Sequence, residues 1–428
     1  MDRCDDGYTM VDASPMLVAE GAAMDGVGGF MELWNAYDVD TFEISGVMYA
    51  IVAAVGDDGV QLIDVSDPEA PVAVGWATDG EDGFTELDGA CAVKTFQIPE
   101  DSSTYAIVAA RDDDGVQLID ITDPTTPVAV GAATDGDGGF TVLNYASDVD
   151  TFEVGGAMYA IVAARDDDGV QVIDITDPAA PVPKGVANEE MSDYSELDGA
   201  QGVKTFQIQD AHYAIVAAEY DDGVQLIDVS NPTALVAMGT AEDGEDFTML
   251  NDAFAVDTFV LGYEVYAIVT AMADDGVQLI DVTNPSAPVA IGTALHNVGS
   301  MLELDGPYDV ETFVMGDSMY AIIAAYNDNG VQLMDISDPT APVAVAYAED
   351  NVGGMSKLQY AAGLSTFTIG FSMYAIVAAV NDHGVQLIRM GDAPVCYDGS
   401  IAGGFADAAQ ASWEATLQSW DVTGSWTT

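Results

Sequence analysis

Seven times along the chain an apolar run breaks at an acidic turn that ends in glycine. The turns read "VGDDG" (55–59), "RDDDG" (111–115 and 165–169), "EYDDG" (219–223), "MADDG" (272–276), "YNDNG" (326–330) and "VNDHG" (380–384). Adjacent carboxylates are the oxygen ligands that a hard cation such as Ca2+ takes. The densest turns supply Asp113, Asp114, Asp167 and Asp168. A further stretch, "DGDGG" (135–139), sets Asp135 and Asp137 at the alternating spacing of cation loops, without the length or the closing bidentate glutamate of an EF-hand. These six aspartates are the metal-ligand set the sequence offers, and Ca2+ is the one cofactor it suggests. An aspartate also stands two residues before the glycine in every turn: Asp57, Asp113, Asp167, Asp221, Asp274, Asp328 and Asp382. Chemistry at one centre does not need seven copies, whereas a turn does. Aspartate bonds the backbone of a turn and glycine accepts positive φ, so the first reading of the hinge is architectural, with glycine in the left-handed position.

Other chemistry has little support. The three histidines, His212, His296 and His383, occupy unrelated positions, and no H-E-x-x-H, G-x-S-x-G or phosphate-loop pattern occurs. The expectation is a protein without catalytic turnover. With 73 acidic against 8 basic residues, a net charge of −65, nucleic acid and anionic membrane surfaces are excluded as partners. No apolar run reaches membrane-spanning length. Such a charge recruits cations or a salty medium, which favours an extracellular or cell-surface setting, with the cytoplasm of a halophile as the alternative. Asn231 and Asn284 are each followed by proline, so no usable N-glycosylation sequon is present.

The elements that carry the turns come from a repeat. The tyrosine opening each "YAIVAA"-like run falls at Tyr49, Tyr105, Tyr159, Tyr213, Tyr266, Tyr320 and Tyr374, a period of about 54 residues. Each copy holds four strand-like pieces, as in 90–98, 104–111, 115–122 and 126–133. "YAIVAA" is apolar without alternation and should be buried on both faces. Four short strands repeated seven times predict an all-β fold, a seven-bladed β-propeller of four-stranded blades, with an open solenoid as the competitor. The seventh copy stops before its fourth strand, while residues 16–30 align with 126–140. A strand at about 16–22 is thus expected to complete the last blade. The domain should span residues 1–396, followed by a distinct tail, 397–428. Cys396 and Cys4 flank the expected closure, so a Cys4–Cys396 disulfide is expected, leaving Cys91 buried in a first strand.

The second half of each copy, "LIDVSDP" (62–68), "LIDITDP" (118–124), "VIDITDP" (172–178), "LIDVSNP" (226–232), "LIDVTNP" (279–285) and "LMDISDP" (333–339), resembles the LVIVD repeat family. The seventh copy departs, with Arg389 where the others have aspartate. The resemblance covers about residues 12–395. It implies a propeller found mostly in secreted and cell-surface proteins, and it brings no catalytic residues.

Just before the repeated Thr-Phe of each first strand stand Asp40, Lys94, Asp150, Lys204, Asp257, Glu311 and Ser365. First strands surround a propeller's axis, so an inner ring of ion pairs is expected there. In the tail, Phe405, Ala409, Trp413, Leu417 and Trp420 fall on one helical stripe, with Trp426 beyond. The stripe suggests a helix that caps the propeller or docks on protein partners or other copies of the chain. The functional expectation is a structural or adhesive module, one that could be built into a filamentous or surface assembly. The alternative is a calcium-dependent propeller binding ligands or glycans through its acidic face.

Overall fold

The computed structural model describes residues 9–10, 15–98, 103–244, 246–392 and 396–397. Its chain forms seven antiparallel four-stranded sheets. The first comprises Ala36–Ile44, Val47–Ala54, Gly59–Asp64 and Val72–Thr78, paired in chain order from the axis outward. The middle two strands bury nearly every residue, because their alanine, valine, isoleucine and leucine side chains face neighbouring sheets on both sides. The core is accordingly seven inter-blade layers. In one of them Phe42, Ile51 and Leu62 of the first blade meet Leu87, Val93 and Ile119 of the second. In another, Phe367 and Leu387 of the last blade meet Phe30, Leu33 and Val39 of the first. This last layer closes a ring and excludes the solenoid. Among the described residues the only helix is a single 3-10 turn, Arg165–Asp167.

Closure uses both chain ends. Val18–Met24 pairs antiparallel with Gly384–Asp392 as the outer strand of the last blade. Arg389, which breaks the aspartate pattern, faces Val18 in this register, and its Nε lies 3.2 Å from Glu20 Oε1 on the donated strand. A two-residue pair, Thr9–Met10 with Cys396–Tyr397, joins the ends again. Cys4 lies outside the described residues, as do Phe405, Trp413, Leu417, Trp420 and Trp426 of the tail. Cys91 is a buried free thiol in the inner strand Ala90–Gln97.

Two repeated side chains hold each blade's outer half. Asp64 and its five equivalents up to Asp335 accept the backbone N–H two residues on, which forms the turn after the third strand. The glutamine of "GVQLID" is fully buried, and each copy is satisfied. Gln61 Oε1 accepts the Met31 N–H at 2.8 Å, while its Nε2 donates to the Gly75 carbonyl at 2.7 Å. Gly75 sits where the outer strand bulges, and a Cβ there would lie 2.2 Å from the Pro124 carbonyl of the next blade.

Candidate functional site

The acidic hinges lie on one face of the disc, against the loops that link successive blades. The aspartate two residues before the glycine of each hinge fastens the loop entering its own blade. Asp57 Oδ2 accepts the Trp34 N–H at 2.7 Å, Asp113 that of Asp88 at 2.8 Å and Asp167 that of Asn144 at 2.9 Å. The other four do the same. The residue just before the glycine reaches the next blade: Asp58 Oδ1 accepts the Gly89 N–H, Asp114 the Tyr145 N–H and Asp168 the Gly199 N–H. His383 Nδ1 accepts the Asn35 N–H at 3.2 Å and completes this circuit across the closure.

One detail of the hinge differs from expectation. The left-handed residue is the one before the glycine, with φ between 49° and 59° from Asp58 to His383. The glycine is required by space, since a Cβ on Gly59 would sit 2.3 Å from the Ala77 carbonyl. Asp135 Oδ1 accepts the Leu143 N–H at 3.3 Å, and Asp137 is exposed. Five of the six aspartates read as cation ligands therefore already accept a backbone N–H. Among the described residues two groups bring three ligand atoms within 4.8 Å of one another: Asp168 with Glu189 and Asp198, and His296 with Asp305 and Asp328. Asp113, Asp114, Asp135, Asp137 and Asp167 join neither.

Deeper, the inner strands line the axis with charge. Lys94 Nζ lies 3.1 Å from Asp40 Oδ1 of the preceding blade, and Lys204 Nζ lies 3.0 Å from Asp257 Oδ1 of the following one. Asp150, between them, accepts the Thr205 N–H at 2.8 Å and its hydroxyl at 2.6 Å. Asp40 and Asp257 take the same pair of bonds from Thr95 and Thr312. Burial pushes both carboxyls up, but the lysines and threonine donors outweigh it and hold them below the usual carboxylate value. Glu311 has no lysine at contact distance, and burial with the neighbouring Asp257 pushes it up to about 8. Burial likewise raises Asp38, Asp148 and Asp309, the last to about 6.

Above this ring, at the hinge-side mouth, lies a cluster that the sequence reading missed. The guanidinium of Arg111 stands over Tyr37 and Tyr145, 5.7 and 5.8 Å from their ring centres. Arg165 stands over Tyr145 and Tyr220 at 5.2 and 4.9 Å, and grips Glu219 through two bonds, Nε to Oε2 at 2.6 Å and Nη2 to Oε1 at 3.1 Å. The hydroxyls of Tyr37 and Tyr308 meet. Tyr308 in turn packs on Phe254 at 4.1 Å and Tyr326 at 5.2 Å, and Tyr326 stacks on Tyr360 at 4.5 Å. Tyr220 and Tyr360 are 53% and 37% exposed, so the cluster opens to solvent. Cys91 lies beneath, its thiol pushed up to about 12 by burial and therefore neutral. These residues occupy four registers of the repeat, just before or at the second position of the first strand and at the first two hinge positions. A signal was present: those registers differ from copy to copy, while the hinge aspartate and glycine do not.

The LVIVD repeat family matches residues 154–188, 212–243, 263–295 and 314–347. No curated protein matches the sequence. Among solved structures the chain is similar to a periplasmic gluconolactonase of Pseudomonas aeruginosa. The TM-score is 0.54 at 9% identity, over 79% of this chain and 96% of that one. At this identity the likeness shows the fold alone, yet it corrects one expectation. The sequence reading took the chain to be non-enzymatic, and a propeller of this architecture is an enzyme, so the fold gives no ground for that exclusion. The chain is a seven-bladed β-propeller that carries LVIVD repeats through its third, fourth, fifth and sixth blades.

Proposed function

We propose that the protein binds a small ligand at the hinge-side mouth of its axis, in a setting outside the cytoplasm. One observation carries this reading: every blade contributes a member of the aromatic and arginine cluster, and no two blades contribute the same combination of residues and registers. Tyr37, Arg111, Tyr145 with Arg165, Tyr220, Phe254, Tyr308 with Tyr326, and Tyr360 come from the first to the seventh blade in turn. A ring that served only to hold the blades together would be met by one residue type repeated, as the hinge aspartates and the buried glutamines are. An asymmetric lining on a symmetric scaffold suits an asymmetric ligand, and half-exposed tyrosines supply flat apolar contact with polar tips. The test is a thermal-shift panel of sugars and aromatic acids on the full chain and on Tyr326→Ala and Tyr360→Ala. Ligands that stabilise the wild type should lose that effect in both variants, and stabilisation that survives both would place binding elsewhere.

The rim favours a second reading, a structural or adhesive module of an extracellular assembly. The first residue of the outer strand is an exposed valine in six blades, Val72, Val128, Val182, Val236, Val289 and Val343, beside unpaired edge backbone. Sedimentation over a concentration series checks it: association that charged substitutions at Val128 and Val289 abolish would support it, and a monomer at every concentration would remove it.

A further inference from the structure

Resting on the mouth as the binding site, we propose that the ligand is a small ring-bearing carboxylic acid, with its carboxylate seated on Arg111. The two arginines of the mouth share a register and a motif, "RDDDG", but differ in their partners. Arg165 faces the residue at the same register of the next blade, Glu219, which neutralises it through a bidentate pair. For Arg111 the residue at that register is Arg165 itself, so the device that satisfies one arginine denies a counter-ion to the other. The carboxylate nearest Arg111 Nε is that of Asp112, at 3.8 Å and beyond hydrogen-bond distance, with a side chain 52% exposed. Arg111 Nε is itself buried and has no hydrogen-bond partner.

Four of the remaining bases of the described residues lie within 3.2 Å of an acid, Lys94 on Asp40, Lys184 on Asp174, Lys204 on Asp257 and Arg389 on Glu20, while Lys357 stands 3.8 Å from Asp382. In a chain of net charge −65, a guanidinium held between two tyrosine rings without a close anion is a specific expenditure. A planar guanidinium is matched by a carboxylate, which accepts two parallel N–H bonds. Tyr145, shared by both arginines, and the exposed Tyr220 border the place where the ring that carries it would lie. Sugar acids and aryl acids share this chemistry, and the probes below separate them.

The experiment is calorimetric titration of the full chain at low salt with glucuronate against glucose, and with benzoate against benzyl alcohol. One acid should bind at least 10-fold more tightly than its neutral analogue. In Arg111→Gln that preference should fall by about 10- to 100-fold, the worth of a hydrogen-bonded charge, and in Arg111→Lys it should fall by less. Raising the salt should weaken the acid and leave the neutral analogue unchanged. Equal binding of acid and neutral probes, a preference unchanged in Arg111→Gln, or no binding of either acid would overturn the anion subsite. Loss of neutral-probe binding in Tyr326→Ala and Tyr360→Ala would still uphold the mouth, so the two readings fail separately. If Arg111→Gln does not fold, Arg111→Lys and the salt series carry the test.

Discussion

Replacing Lys94 by methionine keeps the length of the side chain and removes its charge from the axis. At 3.1 Å from Asp40, the pair attracts by about 5 kcal/mol at an effective dielectric of 20. Desolvation offsets part of this, and Lys94 is 34% exposed to the channel, so the net coupling should be about 1–3 kcal/mol. Asp40 keeps its bonds from Thr95, which limits the loss in Lys94→Met to about 2 kcal/mol. The sign with pH is fixed by the direction of the shift. In the wild type Asp40 titrates below its ordinary value, so the contribution of the pair is present above the unfolded carboxylate range and is lost only as pH falls through the folded value. Without Lys94 only the Thr95 donors oppose burial, and Asp40 should rise, as Glu311 does with the matching pair of bonds from Thr366. The variant then regains stability as pH falls, and its deficit at pH 7.5 should shrink by pH 5. The assay is urea denaturation of wild type, Lys94→Met, Asp40→Asn and the double variant at both pH values. Lys184→Met serves as control, because its pair with Asp174 at 3.0 Å lies on the outer strand and should be worth less than about 1 kcal/mol. A coupling below about 0.5 kcal/mol, or a deficit equal at both pH values, would refute the ring as a source of stability.

Gln171→Leu should cost about 1–3 kcal/mol by calorimetry or urea, since it leaves the Gly185 carbonyl and the Thr141 N–H without their partner. Burial holds the Glu86 carboxyl up at about 7, so its protonated form stabilises the fold below about pH 4.5 and this is lost as pH rises through 7. Glu86→Gln should therefore flatten the fall in stability between pH 5 and 8, and an unchanged slope would argue against it. Asp114→Asn should be nearly neutral, as Asn329 holds the same register, while Asp114→Ala loses the bond to Tyr145 and strains φ at a cost of about 1–3 kcal/mol in melting experiments. Cation binding on the acidic face is proposed to be collective, so Ca2+ and Mg2+ restored after chelation should raise the melting temperature alike, and a rise specific to Ca2+ would point to a discrete site.

Most of the fold was legible because its period is written in residues that cannot be exchanged freely. The tyrosine, the buried glutamine and the hinge aspartate recur every 54 residues or so because each makes the same contact in each blade, the tyrosine by stacking on the phenylalanine of the first strand. The closing strand was legible for the same reason, as Val18–Met24 is a fourth strand displaced to the other end of the chain. The error about the hinge glycine came from the usual preference of glycine for positive φ. Here aspartate takes that conformation because its carboxylate must reach the next blade, and glycine is needed where the outer strand's carbonyl comes close. The mouth was not legible, because its members are scattered through four registers and become neighbours only when the ring closes.

Repetition and variation therefore mark different roles in this chain. Where a register holds one residue seven times, the bond it makes is internal to the scaffold: hinge aspartate to loop, glutamine to bulge. Arg111 and Arg165 lie in "RDDDG" turns whose last two aspartates bond the backbone, and the register of the arginine varies around the ring, through valine, glutamate, methionine and tyrosine. Stability does not explain that variation, since a repeated residue would serve each blade equally. The carboxylates that first suggested a cation site are thus largely committed to the backbone. The cation that lacks a close anion belongs to the protein itself, and it stands at the hinge-side mouth, to which all seven blades contribute.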